Sequence, residues 1–279
     1  MSQPTTNEDA PVLREDHDAV AWITLNRPDA MNALNRDLIA DLGGVADDIA
    51  HDETVRAVVI TATGRAFCAG ADLKGLLTPD GELEPEQLLQ FEREAARIFG
   101  RLAALPKPVI AAVNGTALAG GIELVLHCDI VLASEEAQMG DGHINYGLLP
   151  GGGGASRLSR VVGPTRSKYL AFTGMLLSAA QCQPMGLVNE VVPADQLAQR
   201  AGELATQIAT RSPSALRLFK QAIDDGLQQP LATALRLEHL VTAEHLHSGD
   251  VNEGLAAFRE KRTPRFGSAE TDEPESTHQ

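Results

Sequence analysis

The segment VRAVVITAT, residues 55–63, holds three large aliphatic residues in a row, Val58, Val59 and Ile60. Side chains alternate along a strand, so a run with no polar position requires cover on both faces. Such a strand belongs inside a sheet with other layers around it. Four further stretches suit strands: AVAWITLNR at 19–27, VIAAV at 109–113, DIVLA at 129–133 and LVNEVV at 187–192. Between them, apolar residues recur at helical spacing. One such segment runs through Leu34, Leu38, Leu42, Val45 and Ile49; another covers 86–104 and stops before LPKP, since proline cannot continue a helix. Strand then helix, repeated, predicts the α/β class. Beyond about residue 195 the pattern is helical only, over 196–209, 214–226, 231–247 and 251–262. The expected organisation is a core over 1–195 with 1–15 disordered, a helical C-terminal region over 196–267, and a disordered tail over 268–279.

Asp plus Glu number 38 against 23 Lys plus Arg, a net charge of −15. That excess argues against a nucleic-acid binder, which needs a basic face to release counterions. The three cysteines, Cys68, Cys128 and Cys182, are odd in number and form no CxxC pair, as expected of a reducing compartment. The start, MSQPTTNEDAPVLRED, lacks the basic and apolar segments of a signal peptide, and no apolar run approaches the length of a membrane span. A cytoplasmic protein without a membrane partner is expected.

Two loops interrupt the regular pattern at strand ends, where sites tend to lie. The first is Ala66-Phe67-Cys68-Ala69-Gly70-Ala71-Asp72-Leu73, whose small residues let a ligand approach the backbone. The second, from Asn114 to Glu123, sets Gly120 and Gly121 at the start of a helix, where N–H groups are unpaired and can hold a developing oxyanion. Read singly, the first is as well explained by a tight turn and Glu123 by the preference of acids for helix N-termini. No phosphate-binding GxxxxGK[ST], no GxGxxG after a strand, no GxSxG and no clustered metal ligands occur. His239, His245 and His247 read as surface polar residues on a late helix.

Together these loops and one helix-borne carboxylate resemble the crotonase, or enoyl-CoA hydratase/isomerase, superfamily. The residues that carry the resemblance are ITLNRPDAMNAL, AVVITATGRAFCAGADLKGL, KPVIAAVNGTALAGGIELVLHCDI, GLLPGGGGASRLSRVVG and GLVNEVVP, in order from about residue 20 to 265. The resemblance implies a spiral of repeated ββα units with C-terminal helices that assemble trimers, often paired into hexamers. It implies an acyl-CoA ligand, with coenzyme A part of the substrate and no separate cofactor or metal. It places the oxyanion donors at the backbone N–H groups of Ala71 and Gly120, and the pantetheine and adenine path along Ala69, Asp72, Leu73 and Lys74. Phe258 and Lys261 match positions that in some members reach the coenzyme A of a neighbouring subunit.

Hydratases of that superfamily set two glutamates on either side of a water. Glu123 matches the first; where the second is expected stands His143, within GDGHINYGLLP and just ahead of GGGG. Histidine donates or accepts a proton near neutrality without a large shift, so it can replace an acid whose pKa must otherwise be raised. In an extended segment Asp141 would share a side with His143 and favour its charged form. Three functions stay open at this stage: hydration or isomerisation of an enoyl-CoA with Glu123, His143 and Asp141 as the catalytic set; hydrolysis of a thioester or ketone on the same fold; or acyl-CoA binding without chemistry.

Overall fold

The computed structural model describes residues 9–267, in two compact units divided between Thr206 and Gln207, later than the boundary expected after residue 195. The first unit opens with the antiparallel strands β1 (Val12–His17) and β2 (Val20–Leu25), Val12 opposite Leu25. This corrects the expectation of disorder over residues 9–15, for just before β1 the Ala10 and Pro11 carbonyls also accept hydrogen bonds from Asn26. β1 is an edge strand whose charged residues face outward while Val12 is buried, so its polar composition concealed it. The remainder of the expected disordered ends, residues 1–8 and 268–279, lies outside the described residues.

Helix α1 (Arg36–His51) follows, capped by Asn35, whose side chain accepts the Leu38 N–H at 2.9 Å. It buries Leu38, Ile39, Leu42, Ala46 and Ile49 against the sheet. Then the chain repeats one unit. β3 (Ala57–Ala62) enters a large sheet, β4 (Ala66–Cys68) a small one, and α2 (Pro85–Ala103) returns. β5 (Val109–Val113), β6 (Thr116–Leu118) and α3 (Gly120–Val125) do the same, as do β7 (Ile130–Ser134), β8 (Gln138–Gly140) and α4 (Gly154–Val162). After α5 (Pro164–Thr173) come β9 (Leu177–Ser178), the one-turn α6 (Ala179–Cys182) and β10 (Glu190–Val192).

The large sheet runs β1-β2-β3-β5-β7-β10, parallel from β2 onward, and the small one β4-β6-β8-β9. Successive ββα turns stacked in this way form a spiral. Val58, Val59 and Ile60 of β3 are fully buried, as their unbroken apolar run requires. Each such side chain contributes roughly 1.5–3 kcal/mol relative to exposure.

α7 (Leu197–Ala209) crosses into the second unit, which continues with α8 (Pro213–Gly226), α9 (Leu231–His245) and α10 (Gly249–Glu260). His245 is not merely a surface group: Ser214 and Ser248 contact its Nδ1 at 3.1 and 3.2 Å, and Ser214 also donates to Asp250. This joins the start of α8 to the end of α9. Among the described residues no helix is long and apolar enough to cross a membrane.

Just past α3, His127 is buried against Phe99, ring centroids 5.6 Å apart, and its Nδ1–H donates to the Glu123 carbonyl at 2.7 Å. Burial lowers its pKa to about 4, against that hydrogen bond, and the nearby Arg157 charge adds to the fall. The neutral ring therefore stabilises the fold fully above its unfolded pKa of about 6.5, and the gain is lost as pH falls toward 4. The loss amounts to about 3 kcal/mol. Urea unfolding from pH 6.5 down to 4 should show this decline in the wild type, and His127→Phe should flatten the slope by about that amount.

Candidate active site

The site begins with a staple. Asn32, fully buried and left-handed at φ 53°, donates from its amide to the carbonyls of Thr63 and Ala66, both at 2.8 Å, and accepts the Arg27 N–H at 2.7 Å. Nearby, Ala69 N–H donates to Met31, Leu34 N–H to Gly70 and Asp72 N–H back to Leu34. The Arg27 guanidinium pairs with Asp72 at 2.9 Å. Segment 27–34 thus fixes the loop that carries Ala71. Within RPDAMNAL, Arg27 and Asn32 are the residues that hold the turn against that loop.

Across from Ala71 lies the start of α3. Gly121 sits so near β4 that a β-carbon there would fall 2.1 Å from the Cys68 carbonyl oxygen. The preceding Ala119 has φ 51° and ψ −116°, a conformation that costs a non-glycine residue of order 1–3 kcal/mol. This close packing brings Gly120 beside Gly70 and Ala71; a β-carbon on Gly120 would lie 3.7 Å from the Ala71 nitrogen. Among the described residues neither the Ala71 nor the Gly120 N–H has an acceptor. Two unpaired donors side by side can hold one oxyanion.

Glu123 projects from the first turn of α3 into the same cleft and is 4% exposed. Its Oε1 accepts the Gly154 N–H at 2.8 Å. Glycines make room for it: a β-carbon on Gly152 would lie 2.7 Å from Oε2, and one on Gly154 would lie 3.1 Å from Oε1. Burial raises the Glu123 pKa above the usual carboxylate range, against the N–H groups of Gly154 and Gly152 and the charge of His143.

His143 opens a short 3-10 turn, His143–Tyr146, after the left-handed Gly142 at φ 66°. The segment is not extended, so the expected strand-like alternation does not bring Asp141 and His143 together. A local turn does: Asp141 Oδ1 accepts the His143 backbone N–H at 3.2 Å and contacts ring Nδ1 at 3.1 Å. With Nδ1–H donating to Asp141, Nε2 faces Glu123 Oε2 at 4.0 Å. That gap is too long for a direct hydrogen bond and leaves both groups facing the cleft. Burial opposes charge on His143, but the Asp141 hydrogen bond and charge, with Glu123 and Glu92, outweigh it and raise the pKa.

The cleft between these groups opens to solvent, and together with the solvent space at its mouth it amounts to about 670 Å³. Ala69, Ala71, Leu73, Gly120, Glu123 and His143 all line it. Asp72 does not, being turned to Arg27, and Lys74 is exposed in the 3-10 turn Leu73–Leu76. Asp141 stands behind His143, buried, and touches the cleft only through it. Phe258 and Lys261 belong to the second unit and are exposed. Sequence reasoning missed Glu92, Phe91, Ala95 and Phe99 of α2, which also line the cleft. Their signal was present: Leu88, Glu92, Ala95 and Phe99 follow helical spacing, with an acid inside the apolar stripe. Among the described residues no group of His, Cys and acids could hold a metal ion.

The family model described as enoyl-CoA hydratase/isomerase matches residues 15–269. The chain belongs to the crotonase superfamily. Its similarity to the short-chain-enoyl-CoA hydratase of Clostridium acetobutylicum is 40% identity over 252 residues, covering 90% of this chain and 95% of the relative. The crystal structure of an enoyl-CoA hydratase from Bacillus anthracis superposes with a TM-score of 0.88 at 38% identity, covering 92% of this chain and 98% of that one. An enoyl-CoA hydratase from Polaromonas sp. JS666 gives 0.87 at 32% identity, covering 92% and 99%. This crotonase is therefore an acyl-CoA enzyme of the enoyl-CoA hydratase/isomerase type, on the spiral fold that its sequence motifs imply.

The seat of Glu123 can be tested alone. Gly152→Ala adds one methyl group that must displace the carboxyl, and a misplacement of about 1 Å costs on the order of 10²-fold in rate. If Glu123 acts in turnover, turnover of a crotonyl thioester should fall by about that factor with the circular dichroism spectrum unchanged; full activity would mean that the carboxyl gives way or takes no part in the reaction.

Proposed function

We propose that the protein hydrates a 2-enoyl-CoA, or shifts its double bond, with Glu123 and His143 as the acid–base pair. The observation that carries this reading is their geometry: two buried groups 4.0 Å apart, beside two unpaired N–H donors. In this reading the thioester oxygen accepts from the Ala71 and Gly120 N–H groups, which stabilise the charge that gathers on it as the enolate forms. Glu123 takes a proton from water as the water oxygen bonds to the β-carbon. The His143 imidazolium gives a proton to the α-carbon. Glu123 then holds a proton and His143 is neutral; transfer between them resets the pair. A double-bond shift uses the same groups without water, one removing a proton and the other returning one.

The remaining assignments belong to the same reading. Ala69, Leu73 and Lys74 border the coenzyme A path, and Asp72 supports it by holding Arg27. Phe258 and Lys261 serve a neighbouring copy in a homotrimer or dimer of trimers. Support for assembly comes from apolar residues left open on the second unit, among them Leu227, Leu231 and Phe258, each at least 74% exposed.

Removing one member of an acid–base pair costs about 10²–10⁴-fold in rate. Glu123→Gln and His143→Ala should each lose that much kcat on crotonyl-CoA while keeping coenzyme A affinity. Free thiol should not accumulate; its release at the rate of substrate loss would make the enzyme a thioester hydrolase instead.

The pH profile gives a second check. The acid form of His143 persists above its ordinary pKa of about 6.5, so the alkaline limb of kcat should lie above that value. Asp141→Asn removes the first groups that raise it and leaves burial opposed only by Glu123 and Glu92. The limb should therefore move to lower pH, and an unmoved limb would assign it to another group.

A further inference from the structure

α2 presents one carboxyl group to the cleft. Glu92 lies in the stripe of that helix formed by Leu88, Phe91, Ala95 and Phe99, all cleft-lining and all apolar. Its carboxyl rests on the glycine run, so close that a β-carbon on Gly151 would fall 2.2 Å from Oε2. The neighbouring Gly152 gives the same room to Glu123. Two carboxyls are thus seated on consecutive glycines, one from each wall.

The two differ in partners. Glu123 accepts the Gly154 N–H, and Asp141 holds His143. Glu92 is half-buried, and among the described residues no N–H, O–H or cation lies within hydrogen-bond or ion-pair distance of its carboxyl. Water can solvate it only while the cleft is open. An acyl group that fills the cleft displaces that water. A plain alkyl chain would then leave the carboxyl dry and unpaired, which is costly, whereas a chain with an O–H or N–H would satisfy it. A buried acceptor rejects an analogue without the donor far more strongly than an apolar wall rejects a missing methylene.

We infer that Glu92 selects an acyl-CoA whose acyl chain carries a hydrogen-bond donor, a hydroxyl or an ammonium group. The inference rests on the acyl-CoA reading of the cleft and adds to it the class of acyl group. The lack of partners fits the direction of the Glu92 pKa, which burial pushes above the usual carboxylate range against the opposing charge of His143.

Binding of saturated thioesters tests this without turnover. Hexanoyl-CoA is compared by calorimetry with hexanoyl-CoA bearing a hydroxyl on the fourth, fifth or sixth carbon, and with 6-aminohexanoyl-CoA. The wild type should bind at least one donor-bearing thioester roughly tenfold or more tightly than hexanoyl-CoA. Glu92→Leu should remove that preference by tightening hexanoyl-CoA and weakening the other. The isosteric Glu92→Gln, which guards against a folding defect, separates the two donors: it keeps a hydroxyl preference and loses an ammonium preference. A ratio of affinities that is the same in wild type and Glu92→Leu overturns the inference. So does a failure to bind any acyl-CoA, which removes the functional reading with it. A shifted ratio in an enzyme that does not hydrate crotonyl-CoA supports the role of Glu92 and overturns only the hydration reading.

Discussion

Keeping the Glu123 carboxyl out of water is the constraint around which the site is arranged. A buried carboxylate is costly unless it is hydrogen-bonded and paired. Here the Gly154 N–H is its hydrogen bond, and His143 across the gap is its counter-charge. Neither would suffice if side chains stood in the way, and glycines at 152 and 154 ensure that none do. His143 in turn needs Asp141, because burial by itself would strip its proton. The order of dependence runs from one carboxyl outward to a turn, a histidine and a second acid.

The backbone donors rest on a different device. Asn32 uses two hydrogen bonds, to the Thr63 and Ala66 carbonyls, to tie its segment to the next, and a third, from the Arg27 N–H, to close its own turn; the parallel contact of Leu34 with Ala71 continues the tie. Since an amide in β-ladder geometry turns its N–H either into the ladder or away from it, bonding Leu34 to the residues on either side of Ala71 leaves the Ala71 N–H directed elsewhere. A fold can thus make a donor available by occupying its neighbours.

Much of this was legible in the residues, and the exceptions have physical causes. β3 and β5 are continuous apolar runs, and the long helices obey one period, so both were readable. The strands β4, β6, β8 and β9 have only two or three residues each, too few for alternation to register. β1 was hidden because an edge strand buries little. Glu123 and His143 stand out together only through the resemblance to the superfamily, whose two glutamate positions they match. The geometry joining His143 to Asp141 was misjudged, because Gly142 bends the chain where extension was expected. Helical spacing places Glu92 on the apolar stripe of α2, but its contact with Gly151, far away in the chain, is not legible in that spacing.

The two walls of the cleft also differ in how they can change over time. One wall is backbone: at Gly151, Gly152 and Gly154 any side chain meets a carboxyl group or, at Gly154, also Pro150. The other wall is a helix face whose residues project as separate side chains, Leu88, Phe91, Glu92, Ala95 and Phe99. Exchanges on the helix alter the shape or polarity of the cleft and leave the seat of Glu123 intact; exchanges at Gly152 and Gly154 press on the Glu123 carboxyl directly. Divergence toward new acyl groups therefore has a free side and a frozen side. A library confined to α2 should yield altered substrate range at little cost in rate, whereas the same diversity placed on the glycine run would return mostly inactive protein.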